Sequence, residues 1–181
     1  MESTDVLVIG SGIAGLCAAI EAARTGATVT VASAGKTMSG SSFFPGTWGL
    51  GLIGPVDEDD EQDLIDTILA VGGGVADPEL VQTFVHGIPQ AIDWLEQDLD
   101  VELQRPQSAK SAQQKQFIPC FDHKTRMWRG LTRKPLEDAL TTWIESLGIR
   151  LLPRHELIDL VEDTNGRITG TVLYDLTENR I

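Results

Sequence analysis

At 181 residues, 41% of them hydrophobic, the chain is long enough to bury the core of one domain of ordinary size. Its formal charge of −13, from 27 acids against 14 bases, excludes a role built on nucleic-acid phosphates, which need a basic face. Cys17 and Cys120 stand far apart with no Cys-x-x-Cys and no adjacent histidine, so neither a disulfide framework nor a zinc site is indicated, and a reducing, cytoplasmic setting is the default expectation.

In chain order, Asp5-Val6-Leu7-Val8-Ile9-Gly10 is a short β-branched run closed by glycine, the pattern of a strand buried on both faces and central in a parallel sheet. It is too short to cross a membrane, and no basic leader with a cleavage site precedes it. A helix over 14–24 ends at Gly26 and leads into a second strand over 27–31, completing a βαβ unit. Residues 33–55 set Phe43, Phe44 and Trp48 among Gly, Ser, Thr and Pro, which predicts a packed loop.

Helical spacing returns over 61–71 and 78–97, with Asp77 as N-cap and Pro78 in the first turn of the second helix. The acidic run 57–63 is expected to cap the first of these and face water. Residues 101–115 turn polar and irregular, and 117–128 reads as two short extended segments. A helix over 133–147 stops at Gly148, and strands follow at 149–152 and 157–161. Asn165-Gly166, supplying the positive φ angles of a tight turn, closes a hairpin into 168–174. No internal repeat is present, and after the hairpin no segment reads as returning the backbone to the parallel sheet, so the unit is expected to be unfinished at Ile181.

Gly10-Ser11-Gly12-Ile13-Ala14-Gly15 matches Gly-x-Gly-x-x-Gly between a buried strand and a helix. In that setting Gly10 makes the turn, Gly12 admits a pyrophosphate to the backbone, and Gly15 lets helix and sheet approach. The N–H groups at the helix start then face the anion. The usual ribose-binding acid after the second strand is absent, its place held by Ser33 and then Ala34.

Taken together, the glycine motif, Ser33, Gly-Ser-Ser-Phe-Phe-Pro-Gly at 40–46 and the stretch 66–97 resemble the L-aspartate oxidase, succinate dehydrogenase and fumarate reductase flavoprotein family, nearest to L-aspartate oxidases. The similarity covers about residues 4–104 and resumes over 129–174. It implies an α/β fold, a Rossmann-like FAD-binding βαβ domain with inserted helices and a β-hairpin, incomplete at the C-terminus. Residues 1–55 would form the βαβ unit and flavin loop, 56–130 a helical insertion and irregular segment, and 131–181 the final helix and hairpin. The third strand of the nucleotide sheet and the capping domain would follow Ile181.

Carried over by position, the resemblance implies FAD pyrophosphate on Ser11, Gly12, Ile13, Ala14 and Gly15, and adenosine ribose by Ser33 and Ala34. Ser41 and Ser42 would bond phosphate and flavin, and residues from Phe43 through Gly46 to Trp48 would line the isoalloxazine. The backbone of Leu157 would meet adenine. Covalent members carry histidine where Ser42 stands, so FAD is expected to be noncovalent. Ala34, where lysine is frequent, and Pro45-Gly46-Thr47-Trp48, where the family has Ala-Gln-Gly-Gly, depart from the pattern.

The parent reaction implied is hydride transfer between FAD and a dicarboxylate or amino acid, with its catalytic residues beyond this chain. Read directly, Leu157 is a core-strand residue, and Ser41 to Phe44 an ordinary packed loop. His123, Arg126, Trp128 and Arg129 form a cluster able to bind a carboxylate, although a solvated loop is the commoner fate of such a cluster. His86 and His155 lack partners at ligand spacing, and no hydrolase elbow, metal triad or paired glycosidase carboxylates can be picked out. Two rivals stand beside the flavoprotein reading. One is a small NAD-dependent dehydrogenase, which Ser33 and the lack of Tyr-x-x-x-Lys disfavour. The other is a noncatalytic module that pairs with a copy of itself or with a complementing chain through an open sheet edge.

Overall fold

The computed structural model describes residues 3–43, 50–105 and 126–181. In chain order the elements are β1 (Val6–Ile9), α1 (Ile13–Arg24), β2 (Val29–Ser33), a 3-10 turn (Ser41–Phe43), β3 (Leu50–Gly54), α2 (Glu58–Val71) and α3 (Pro78–Asp93). They continue with a π-helical turn (Trp94–Asp98), β4 (Met127–Leu131), α4 (Arg133–Ser146), β5 (Arg150–Pro153), β6 (His155–Glu162) and β7 (Ile168–Asp175). Two units result: Met1–Thr47 with Glu137–Ile181, and Trp48–Leu136.

In the first unit β1, β2 and β5 form a parallel sheet in the order β1-β2-β5, with Val6 opposite Val29 and Thr30 opposite Arg150. β2 is the middle strand and all five of its residues are buried. One expectation is corrected: β1 lies at an edge of the described sheet rather than in its middle, while β5 falls in the segment expected as a strand over 149–152. That strand has four residues, with Arg150 and Pro153 exposed at its ends and Leu151 and Leu152 half-buried between them. Gly148, at φ +64°, ends α4 in the left-handed conformation and turns the chain into β5.

Leu16, Ala19, Ile20 and Ala23 of α1 and Leu140 and Ile144 of α4 are buried with Val29 and Val31. The Arg24 guanidinium lies 4.5 Å from the centre of the Trp143 ring, joining the two helices at their outer side. β6 and β7 pair antiparallel, Leu157 opposite Leu173. At their tip only Gly166 has positive φ, +77°. Asp163 N–H donates to Arg167 O at 2.9 Å, so the connection is a three-residue loop with glycine in the left-handed place, and the expected paired positive φ at Asn165-Gly166 is corrected. The Asp163 carboxylate accepts from the backbone of both Asn165 and Arg167, which stabilises this longer loop.

In the second unit Asp57 caps α2 by accepting from Asp60 N–H at 2.9 Å, and Asp77 caps α3 from Glu79 and Leu80 N–H. Leu64 and Ile65 of α2 are buried with Val81, Val85, Ile88 and Ile92 of α3. β3 pairs antiparallel with β4, Gly51 opposite Gly130, in a stretch expected to be loop. A strand containing two glycines has little propensity of its own. Its partner is far along the chain, and the glycines are what the pairing needs. A Cβ at Gly51 would stand 2.8 Å from Trp128 Nε1, and one at Gly130 2.3 Å from Trp128 Cη2, so the indole lies flat across both. Of the two extended segments expected over 117–128, residues 117–125 lie outside the described residues and the end falls in β4. Among the described residues no helix is long and apolar enough to cross a membrane.

Candidate dinucleotide-binding site

The turn from β1 into α1 is built by its glycines. Gly10 takes φ +108° while its N–H donates to Ala32 O at 2.8 Å, the last rung between β1 and β2. A Cβ on Gly15 would stand 2.0 Å from Gly10 O and 3.4 Å from Val8 Cγ1, so packing alone demands glycine there. Gly12 differs. Its φ of −72° is open to any residue, and a Cβ would meet nothing nearer than Ser39 O at 3.7 Å. The protein's own packing does not call for glycine at 12, and the omitted side chain leaves the start of α1 clear.

Gly12 is the N-cap of α1, with no side-chain cap and no acid in the first turn. The N–H groups of Ile13, Ala14 and Gly15 therefore end the helix without an intrahelical partner, at the positive end of its dipole. This donor set fits a pyrophosphate. Ser11 is buried and its hydroxyl donates to Lys36 O at 3.2 Å, which ties the cradle to the loop after β2.

That loop starts at Ser33, buried on the last rung of β2 opposite Pro153, with Ala34 exposed beside it. Gly35 O accepts from Arg154 N–H at 3.0 Å, and a Cβ on Gly35 would stand 2.9 Å from Ser39 Oγ. The loop is thus pinned to the cradle on one side and to the β5–β6 turn on the other. Sequence reasoning missed Gly35, Lys36 and Ser39. The available signal was a small-residue segment directly after β2, where the missing ribose acid drew attention to position 33 alone.

Ser41 is exposed at the head of the 3-10 turn, Phe43 is buried, and Phe43 N–H donates to Gly40 O at 3.2 Å. The Ser42 side chain and Gly46 lie outside the described residues. Leu157, read directly as a core-strand residue, is half-buried on β6, two residues after His155. It therefore does not sit in a core strand, and its neighbours Ile158, Leu160 and Val161 on β6 are exposed.

The cluster read around Arg126 separates. His123 is outside the described residues, and Trp128 and Arg129 alternate on opposite faces of β4. Arg126 is fully buried rather than solvated, its guanidinium bonded to the carboxylates of Asp60 and, at 2.8 Å, Asp63, with Thr67 Oγ1 at 3.5 Å. Asp60 and Asp63 are accordingly part of this clamp, and the acidic run does not wholly face water. Arg129 donates to Trp128 O at 2.9 Å, and its buried Nε has no hydrogen-bond partner among the described residues. Two of the three histidines sit near acids: His86 Nε2 is 3.9 Å from Glu61, and His155 Nε2 is 3.8 Å from Asp175. No group of metal-ligating side chains is found among the described residues.

Comparison with known proteins bears on this geometry. The family model described as FAD binding domain matches residues 5–181. L-aspartate oxidase of Halobacterium salinarum is 35% identical over 94% of this chain and 32% of its own length. Vinyl phenol reductase of Lactiplantibacillus plantarum is 27% identical over 98% of the chain and 35% of its own. The open conformation of a flavocytochrome c3 fumarate reductase superposes with a TM-score of 0.71 at 21% identity, over 99% of this chain and 31% of that one, which shows a shared fold. The chain spans about a third of the length of the curated relatives it matches. With the strand, glycine turn and uncapped helix start all in place, the chain belongs to the FAD binding domain family, with L-aspartate oxidase and a fumarate reductase flavoprotein subunit of Wolinella succinogenes, 29% identical over 100% of this chain and 29% of its own length, among its relatives.

Proposed function

We propose that this chain is the FAD-holding part of a cytoplasmic flavin-dependent oxidoreductase acting on a dicarboxylate or amino acid such as L-aspartate, succinate or fumarate. The observation that carries the reading is Gly12: a glycine that the fold does not need, at the open start of a helix whose first N–H groups lack partners. Gly10, Ser11, Gly12, Ile13, Ala14 and Gly15 hold the pyrophosphate, and Ser33 with Ala34 borders the adenosine ribose. Ser41, Ser42, Phe43 and Gly46 stand on the flavin side, and the Leu157 backbone on the adenine side. The FAD is noncovalent, because the serine at 42 cannot form a histidyl link. When bound, FAD supplies hydride acceptance and donation at its isoalloxazine, and this chain's part is to bind and orient it.

Titrating the protein with FAD and with NAD while following flavin absorbance and melting temperature tests the reading, since a ligand that binds only the folded state raises the melting temperature. FAD alone should stabilise. Stabilisation by NAD and not by FAD, or by neither, overturns it.

A second reading is a noncatalytic module that assembles with another chain. It is favoured by the outer side of β1, where the described residues place no strand beside Val6–Ile9. Concentration-dependent assembly in sedimentation, with no flavin uptake, is the result expected of it.

A further inference from the structure

We propose that Lys36 is a cofactor-binding residue, its ammonium paired with the diphosphate of the adenosine half of FAD, in a site that lacks the ribose-binding acid. The inference rests on reading residues 10–15 as the dinucleotide cradle. In the usual arrangement a carboxylate after the second strand anchors the ribose diol, and the helix start carries the pyrophosphate. Here that carboxylate is replaced by the small, buried Ser33, so the adenosine end loses its strongest neutral-ligand anchor.

The loop offers a cation instead. The Ser11 hydroxyl donates to Lys36 O, which holds the Lys36 backbone against the cradle itself. Gly35 O is fixed from its other side by Arg154 N–H, so the position of Lys36 is set by two hydrogen bonds that flank its side chain. Lys36 is exposed, and no carboxylate partner for it is found among the described residues. A helix N-terminus contributes only about half a unit of positive charge, whereas a diphosphate carries more negative charge than that. Arg24, the cation at the far end of α1, is bonded to Glu21 and stacked on Trp143. Among the described residues, Lys36 is the cationic side chain of the loop that Ser11 bonds to the cradle.

The consequence is a shift in what the adenosine end recognises, from ribose hydroxyls to phosphate charge. Calorimetric titration of the full chain with ADP and with adenosine, at low and high salt, tests this. Lys36→Gln should weaken ADP binding about tenfold, leave adenosine unchanged and flatten the salt dependence, and Lys36→Arg should restore both. Because Lys36 is exposed, the melting temperature of the free variant should equal that of the parent. ADP affinity unaltered in Lys36→Gln, while Gly12→Val abolishes binding, overturns the role of Lys36 and leaves the cradle standing. Absence of ADP binding to the parent chain, or its survival in Gly12→Val, overturns the cradle and this inference with it.

Discussion

Arg126 Nη2 lies 2.8 Å from Asp63 Oδ2, with the arginine side chain wholly buried and the carboxylate reached from α2, dozens of residues earlier in the chain. Together with Asp60 this fixes the residue that leads into β4 onto the second unit's first helix. Removing only the arginine strands two carboxylates beside a cavity, whereas removing the charges together strands none. Arg126→Met should therefore cost about 3–5 kcal/mol. Arg126→Met with Asp60→Asn and Asp63→Asn should cost measurably less, as read from urea denaturation midpoints. Equal destabilisation in both proteins would show that the clamp's charges do not matter.

Gly12 and Gly15 separate binding from folding. Gly15→Ala forces a Cβ to 2.0 Å from backbone, which requires the β1–α1 turn to shift, so both melting temperature and FAD binding should fall. Gly12→Ala places a Cβ in ordinary contact with Ser39 O, 3.7 Å away, and should fold with an unchanged melting temperature while FAD binding drops at least tenfold. Retained FAD affinity in a folded Gly12→Ala protein contradicts the cradle.

The Cys17 thiol is pushed up to about 11, first by burial on α1 and then by the neighbouring Glu21 charge. At pH 8 only about a thousandth of it is thiolate, the reactive form. Peptide mapping after iodoacetamide treatment should find Cys17 unmodified in the folded protein and alkylated after denaturation. Rapid labelling of the native protein at this residue would refute the assignment.

Acid should weaken the first unit through Asp5 and Asp175. The Thr28 hydroxyl and N–H, bonded to Asp5 at 2.7 and 2.8 Å, hold that carboxyl below its ordinary 3.8. The Glu178 and Thr177 N–H groups do the same for Asp175, with His155 and Arg180 adding to the effect. A carboxyl lowered on folding contributes stability above its unfolded value and loses it as pH falls through the folded value, here below about 3.8. Asp5→Asn and Asp175→Asn should be less stable than the parent at pH 7, with the gap closing toward pH 2. A gap independent of pH would rule out this source of stability.

Gly130→Ala should destabilise the β3–β4 pair by driving a Cβ into the Trp128 ring. Adding Trp128→Ala to it should recover part of the loss, giving a favourable coupling in a double-mutant cycle. Additive losses would mean the indole does not rest on Gly130.

What could be read from sequence was what local chemistry decides. The β1 run, the glycine turn, α1, and the Asp77 cap of α3 each carry their signal within a few residues, and the structure has them in place. The strand at 149–152 was legible too, although its parallel pairing with β2 was not. β3 escaped, because it holds glycines that only a partner strand and Trp128 explain. At the site, the cradle was legible because glycine spacing is itself the mechanism. Lys36 was not, since what brings it to the cradle is a single hydrogen bond between Ser11 and its carbonyl. Arg126 was misjudged because its acids lie far back in α2, a pairing that no local pattern encodes.

The interlock of Gly10 with Ala32 O and Gly15 has a kinetic reading. A turn already held by the sheet on one side and by helix contact on the other loses little conformational freedom when a cofactor arrives. Association should then be governed by diffusion and charge, and changes in the residues around the cradle should register as faster escape rather than slower capture. In a chain of net charge −13 the approach of an anionic dinucleotide is opposed at long range. Added salt should therefore speed loading even where it weakens the final complex.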